Sequence, residues 1–233
     1  MTHFQYDARI VEDYPRLVAG VIVAIGMANG PTADALRVKY LAEQAAVKSR
    51  IGSTPLSELP SLGAWRRAFS AFGVSPTKYR SAAEALLRRL TKKGDIPCIN
   101  TLVDIGNLVS IRYGLPVAIF DTRQIATPIT VHYSDSSEHY TELATGETMR
   151  PEAGEVIFSD LTKMVVARRW CWRQSATSAA SDTTTDAVIT VEAHHENGRA
   201  AIENALADLL ALLAEHAGGQ FDSAVLDPQQ SSI

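Results

Sequence analysis

The sequence predicts a single domain of the α+β class. Helical and strand-like segments are interspersed along the 233 residues, and neither a repeat nor an interdomain linker divides them. Short β-rich runs separated by glycine and proline predict hairpins between Pro128 and Asp160. The apolar fraction of 46% and the charged fraction of 21% are those of an ordinary globular protein that is long enough to bury a core.

Capping residues and the spacing of apolar residues predict five helices. Ser81 is typical of a helix N-cap, with Glu84 three residues later, and Gly94 is typical of a helix end. The predicted helices run from Pro31 to Arg50, Leu62 to Phe72, Ser81 to Leu90, Ile99 to Tyr113 and Arg199 to His216. In the first of them the expected buried face consists of Ala35, Val38, Leu41, Ala42 and Ala45.

Runs of β-branched residues predict the strands. They are expected at Val21 to Val23, Val117 to Phe120, Ile129 to Tyr133, Val156 to Phe158, Met164 to Arg169 and Ala187 to Glu192. The last dozen residues have no such pattern. We therefore expect the domain to span residues 1–220 and residues 221–233 to form a flexible tail.

Several classes of function are disfavoured by composition. The N-terminus lacks the pattern of a signal peptide, and the longest apolar run, Leu17 to Ala28, is about half of what a membrane span needs. A cytoplasmic protein without a membrane partner is therefore expected. Cys98 and Cys171 do not have the spacing of a zinc site or a disulfide framework, so we expect no metal and no cofactor.

The charge is unevenly distributed along the chain. The net charge of −4 argues against a general nucleic-acid coat protein, and no DNA partner is expected. Residues 61–94 nevertheless contain eight basic residues and one acid, Glu84, whereas the segment from Asp182 onward contains nine acids and one base. The basic stretch could receive one RNA end, or it could form the solvated faces of two helices.

The segment from Ile96 to Asp121 carries a specific family resemblance. It resembles the B3/B4 (editing) domain of the phenylalanyl-tRNA synthetase β subunit, in which a strand–helix–strand passage is built on a conserved set of positions. The matching residues here are Pro97, Ile99, Asn100, Val103, Asp104, Asn107, Gly114, Pro116, Phe120 and Asp121. The similarity extends over about residues 60–193, and it implies a B3/B4-like domain with a mixed sheet flanked by helices. The aminoacylation signatures of a complete synthetase are not found in the sequence.

The resemblance implies a free-standing protein that hydrolyses mischarged aminoacyl-tRNA in trans. Such editing is needed because a pocket that accepts one amino acid rejects an isostere with an added hydroxyl only weakly. The implied partner is a tRNA or the 3′ end of an aminoacyl-tRNA, with a free amino acid as a further ligand. The candidate RNA-binding residues are Arg66, Arg67, Lys78, Arg80, Arg88 and Arg89.

Candidate site residues follow from the same comparison and from helical spacing. Asn100, Asp104 and Asn107 are spaced i, i+4 and i+7, so they share one helix face that could line a pocket or could be satisfied by nearby backbone. The carboxylates expected to orient water are Asp104, Glu155 and Asp121. The side chains expected to bind phosphate or stack on a base are Arg169, Trp172 and Arg173, although packing and surface charge would also explain them.

Ala118 is the main departure from the family pattern. The synthetase motif has a histidine of the editing pocket at this position, and none of the six histidines of this chain replaces it in the sequence. A non-catalytic module that binds an amino acid, a nucleoside or a tRNA end is therefore the alternative to a deacylase. An interaction protein, suggested by the acidic C-terminal part and its amphipathic helix, is a third interpretation.

Overall fold

The computed structural model describes residues 2–233, which contain six α-helices and eleven strands. The helices are α1 (Ala8–Asp13), α2 (Asp34–Ile51), α3 (Pro60–Ala71), α4 (Ala82–Lys93), α5 (Thr101–Tyr113) and α6 (Gly198–His216). The strands are β1 (Phe4–Tyr6), β2 (Val18–Ile25), β3 (Val117–Asp121), β4 (Ile129–Tyr133), β5 (Tyr140–Thr141), β6 (Thr148–Met149), β7 (Val156–Ser159), β8 (Val165–Arg168), β9 (Arg173–Gln174), β10 (Ala187–Ala193) and β11 (Gln220–Leu226). None of the helices in this part of the chain combines the length and apolar character needed to cross a bilayer.

Two sheets organise the fold. The central sheet is antiparallel, with the strand order β11–β2–β10–β3. The second sheet has the order β1–β4–β7–β8–β9 and is mixed, because β1 pairs with β4 in parallel and the other pairs are antiparallel. A small ladder joins β5 and β6. The predicted α+β fold with a mixed sheet flanked by helices is confirmed.

The central sheet is buried on both faces. Along β2, Ile22 and Ala24 point to a helical layer formed by α2, α4, α5 and α6, whereas Ala19 and Val21 point to the second sheet. Gly20 lies on the helical side, where an added Cβ would come within 3.0 Å of a Val191 methyl and 3.2 Å of Leu206 on α6. The absence of a side chain at Gly20 therefore lets α6 approach β2 closely.

Aromatic residues fill the space between the two sheets. Trp65 on α3 and Trp170, which follows β8, are both fully buried there, together with Phe120 and Phe158. Their rings pack edge-on or tilted, as between Trp65 and Trp170 at a centroid distance of 5.4 Å. The candidate site lies against this aromatic layer.

The predicted inward face of α2 was wrong. The residues that the helix buries are Leu36, Tyr40, Gln44, Val47 and Ile51, whereas the five predicted residues are all solvent-exposed, with Val38 66% and Leu41 52% exposed. Gln44 can be buried because its side-chain amide donates to the Ile96 carbonyl and accepts from the Ile96 N–H. That long-range pairing is invisible to a pattern of apolar residues.

The predicted flexible tail was also wrong. Residues 220–226 form β11, which pairs with β2 along its whole length, and the carbonyl of Ile233 accepts hydrogen bonds from the backbone N–H groups of His3 and Phe4. An edge strand with one buried, three half-buried and three exposed residues leaves little hydrophobic signal in the sequence.

We predict that Leu226→Ala lowers the free energy of unfolding by about 2–5 kcal/mol, because it empties a buried site in the inter-sheet core. Ser223→Ala, at an exposed position of the same strand, is the matched control and should change the stability by less than about 0.5 kcal/mol. Chemical denaturation measures both. A loose C-terminal segment would instead make the two substitutions equally neutral.

Candidate ligand-binding cavity between the sheets

A cavity of about 70 Å³ lies between the central sheet and the β8–β9 hairpin. We call it the Glu192 cavity. Its wall is mostly apolar and aromatic, and it includes Phe120, Phe158 and Trp170. Ala118 lines it as well, so the position at which the family motif has a histidine faces this space. Of the predicted site residues, the structure places Trp172 and Arg173 at this cavity.

Strand register explains which residues reach the cavity. Ala118 on β3 lies opposite Thr190 on β10, and Glu192 follows two residues later on the same face of the strand. The backbone N–H of Glu192 donates to the carbonyl of Pro116, which extends the pairing of the two strands. Thr190 and Glu192 therefore face the aromatic layer. Ile189 and Val191, which alternate with them along β10, face the helices.

Glu192 is a buried carboxyl group with two donors. It is only 2% exposed, and its Oε1 accepts hydrogen bonds from the Tyr6 hydroxyl at 2.6 Å and from Trp170 Nε1 at 2.9 Å. Burial disfavours the charged carboxylate more than these two donors favour it, and it raises the pKa of Glu192 to about 7. The group can therefore bind or release a proton near neutral pH.

The turn after β8 places Trp170 beside Glu192. Arg169 and Trp170 have positive φ angles of 45° and 58°, in the left-handed region that is unfavourable for bulky residues. The chain direction that results sends the Trp170 ring into the inter-sheet core and leaves Trp172 at the edge of the cavity. Backbone strain of this kind is tolerated when packing and hydrogen bonds hold the residue in place, as the Trp170 side chain does here.

Cations and aromatic rings cluster beside the cavity, and of these side chains Trp172 and Arg173 line it. The Arg169 guanidinium lies 3.9 Å from the Tyr79 ring centroid and 4.9 Å from that of Trp172. Arg173 lies 4.9 Å from the Trp172 centroid and pairs with Glu142 at 2.6 Å. Each arginine therefore already has a protein partner, and the partly buried Trp172 is the side chain of this group best placed to meet a ligand at the cavity mouth.

The three predicted carboxylates do not come together. Asp104 accepts hydrogen bonds from the Thr32 hydroxyl and the Ile99 N–H, and Asp121 accepts them from Thr184 and Arg123. Hydrogen bonds from Arg123 and Thr184 outweigh burial and lower the pKa of Asp121.

Glu155 is the third of these carboxylates. It pairs with Arg168 at 2.8 Å and accepts the Arg169 N–H. Each of the three carboxylates thus has its own set of structural partners, and none of them lines the Glu192 cavity.

The Asn100 face of α5 is turned away from the cavity. Asn100 caps the helix by accepting the Val103 N–H, and α5 packs within the helical layer on the other face of the central sheet. Asp104 and Asn107 lie within α5, whereas Asn100 is its N-cap and has extended backbone, so the predicted i, i+4, i+7 face does not include Asn100 as a helical residue. The assignment of Asn100 and Asn107 as ligand-binding residues stays a prediction.

The basic stretch forms a separate cavity of about 330 Å³. Three of the predicted RNA-binding residues, Arg66, Arg80 and Arg88, line it together with Lys92. Glu84 lies at its base and accepts a hydrogen bond from Arg66 at 2.8 Å. Of the other predicted residues, Arg67 lies at a different cavity, Arg89 pairs with Asp95, and Lys78 lies over the Tyr79 ring. We call this site the basic cavity.

Sequence reasoning missed Glu192 and Cys171 as cavity residues. A signal for the first exists, because Thr190, Glu192 and His194 alternate with apolar residues and so share one face of a strand. Cys171 carries no such signal. Burial raises the pKa of its thiol, so Cys171 is a thiol and not a reactive thiolate near neutral pH. Within residues 2–233, no group of three or more His, Cys, Asp or Glu side chains could hold a metal ion.

The fold is that of an α+β domain with a candidate ligand-binding cavity between its sheets, and comparison with known proteins identifies the family. The B3/4 domain model matches residues 64–218, and the chain belongs to this family. No curated protein matches the sequence.

One solved structure that matches is described as an N-terminal fragment of the phenylalanyl-tRNA synthetase β subunit from Pyrococcus horikoshii. It is 12% identical to this chain, with a TM-score of 0.47 over 96% of this chain. The chain spans about half of that fragment, 53% of its length.

We predict that Glu192 makes stability decrease as pH rises. Because the folded-state pKa of about 7 lies above the ordinary value of 4.5, folded Glu192 holds a proton that the unfolded chain has lost. The stabilisation that protonated Glu192 contributes is fully present below about pH 4.5. It falls by about 3 kcal/mol as the pH rises to about 7 and levels off above that pH.

Urea denaturation of wild-type protein and the Glu192→Gln variant between about pH 5 and about pH 8 measures this effect, because the difference between the two curves cancels the other titrating groups. Parallel curves for the two proteins would contradict the assignment.

Proposed function

We propose that this protein binds the aminoacylated 3′ end of a tRNA, with the aminoacyl group in the Glu192 cavity. The observation that carries the proposal is the position of Ala118, which matches the pocket histidine of the family motif and lines an enclosed space beside a buried carboxyl group. Membership of the B3/4 family supports an RNA-associated ligand.

The size of the cavity favours a small amino acid. Its volume of about 70 Å³ is roughly half of the ~150 Å³ that accommodates benzene in an engineered protein cavity. Glycyl, alanyl or seryl groups therefore fit better than phenylalanyl or tyrosyl groups. Glu192 adds a hydrogen-bonding group to an otherwise apolar wall, and it would favour a ligand with a polar atom at that point.

The basic cavity and the Glu192 cavity are neighbours along the chain. Arg80 lines the first and Ala82 the second, and two residues of chain separate their Cα atoms by no more than about 7.6 Å. Between them, Tyr79 packs edge-on against Trp172 at a centroid distance of 4.9 Å. This arrangement suits phosphates at the basic end and a base stacked on an aromatic ring before the aminoacyl group.

We predict that Arg88→Gln weakens binding of aminoacyl-tRNA several-fold and lowers the salt dependence by about one counterion, because it removes a cation that faces the basic cavity. Arg89→Gln is the matched control, since Arg89 lies next to it in the sequence but is paired with Asp95. Fluorescence anisotropy at several salt concentrations measures both. Equal losses for the two variants would show that overall charge is responsible and not the cavity. No binding of any charged or uncharged tRNA would favour the interaction-protein interpretation.

Hydrolysis of the bound ester is a second candidate function, favoured by the pKa of Glu192. A carboxyl group that titrates at about 7 can accept a proton from water at neutral pH. The resulting hydroxide attacks the ester carbonyl, the bond to the ribose oxygen breaks, and the ribose leaves as an alcohol after taking up a proton. Ala118 supplies no second base, so this activity rests on Glu192.

We predict that any deacylation by this protein is lost in Glu192→Gln and retained in Glu196→Gln, a nearby exposed control. The measurement is a time course with Gly-, Ala-, Ser-, Thr-, Phe- and Tyr-charged tRNA against a buffer blank. Asp104→Asn is included because the sequence assigns Asp104 a catalytic role. Loss of activity only in Asp104→Asn would show that the catalytic group lies in the helical layer and not in the Glu192 cavity. Unchanged ester lifetimes throughout would leave binding as the function.

A further inference from the structure

A third cavity, of about 260 Å³, lies on the outer side of the aromatic layer. The loop from Asp13 to Arg16 forms one wall, α3 forms the opposite wall, and His194 lies between them. We call it the His194 cavity. It shares no lining residue with the Glu192 cavity or with the basic cavity. A ligand in the His194 cavity would therefore lie at a different place from the aminoacyl-tRNA end of the proposed function.

His194 is a buried polar side chain without a partner. It is only 7% exposed, and its Nε2 is enclosed without a hydrogen bond in the described chain, residues 2–233. The rings of Trp65, Trp170 and Tyr14 surround it at centroid distances of 4.5, 4.9 and 5.6 Å. Burial lowers the pKa of His194 to about 3, so the ring is neutral at pH 7 and has both a donor and an acceptor nitrogen. Nε2 is closed off from the cavity, so a ligand there meets the His194 ring at its other nitrogen, Nδ1, which is not among the buried unpartnered atoms.

Two free cations stand at the mouth of this cavity. Arg16 and Arg67 are both exposed, and within residues 2–233 neither forms an ion pair or a side-chain hydrogen bond. The one carboxylate that lines the cavity, Asp13, accepts the Tyr133 hydroxyl at 2.7 Å. The mouth therefore carries a net positive charge that the protein leaves available for a ligand.

The α3 wall, which also carries Arg67, is otherwise apolar. Ala64, Ala68 and Ala71 are spaced i, i+4 and i+7, so their methyl groups lie along one face of α3. Tyr14, on the loop that faces α3, adds a ring to the apolar lining. A volume of about 260 Å³ exceeds the ~150 Å³ that holds benzene, so a ring-sized group fits.

We propose that the His194 cavity binds a small organic anion. Its apolar body lies against the alanine face of α3, its carboxylate or phosphate lies between Arg16 and Arg67, and the His194 ring contributes a hydrogen bond. A carboxylic acid and a phosphate monoester share this chemistry, and the size of the cavity selects a ligand with a single ring or a short aliphatic body.

The experiment titrates the full chain with benzoate, phenyl phosphate and inorganic phosphate. Calorimetry measures affinity, and the imidazole signals of ¹⁵N-histidine-labelled protein report on His194. We expect benzoate or phenyl phosphate to bind and to shift the His194 signals, and the stronger of the two identifies the anionic group. Binding of inorganic phosphate alone, without a shift at His194, would show a surface ion contact and overturn the proposal.

Two variants test the geometry without touching the core. Arg16→Gln removes a rim charge and should weaken binding at least tenfold, whereas Arg150→Gln, an exposed arginine elsewhere, should leave it unchanged. Ala71→Leu, at an exposed position of α3, should block the cavity and abolish the His194 shift. Wild-type affinity in both cavity variants would refute the site. Arg16→Gln should bind aminoacyl-tRNA normally, so this proposal and the proposed function fail independently.

Discussion

The hydrogen bonds to Glu192 are the interaction on which the inter-sheet site depends. A carboxyl group in an apolar layer is costly unless it is protonated or hydrogen-bonded, and Glu192 has two donors on one oxygen. The donors come from distant parts of the chain, Tyr6 on the first strand and Trp170 after β8. One side chain thereby joins the N-terminal strand, the β8–β9 turn and β10, and the cavity takes its shape from their relative positions.

The hydrogen bond from Trp170 to Glu192 helps to explain the left-handed turn at Arg169 and Trp170. A positive φ at two bulky residues costs on the order of 1–3 kcal/mol each, and burial of a tryptophan ring with a satisfied N–H offsets a cost of that size. The same turn lets the Glu155 carboxylate hold Arg168 and the Arg169 N–H. Glu155 therefore supports the turn that carries Trp170 and does not itself line the cavity.

Local features of the fold could be read from the sequence, and features that depend on distant pairing could not. The Ser81 hydroxyl accepts the Glu84 N–H and Gly94 ends α4 in a left-handed conformation, as local capping rules predict. The buried face of α2 was missed because Gln44 is satisfied by Ile96, about fifty residues away. β11 was missed because its partner β2 lies near the other end of the chain.

The site shows the same division between local and distant information. The family motif led to Ala118 and the aromatic–arginine pattern led to Trp172 and Arg173, all of which reach the cavity. Glu192 required knowing that β10 pairs with β3.

The Glu192 cavity and the more open His194 cavity share the aromatic layer, and this determines how each can discriminate between ligands. Trp170 donates to Glu192 on one side and packs edge-on against His194 on the other. Burial moves the pKa of the carboxyl group up to about 7 and that of the imidazole down to about 3, so both groups are neutral between those values. Neither cavity can select a ligand by charge in its interior under those conditions. Selection inside must rest on size and hydrogen bonding, whereas Arg16 and Arg67 at the mouth of the His194 cavity are left to recognise charge.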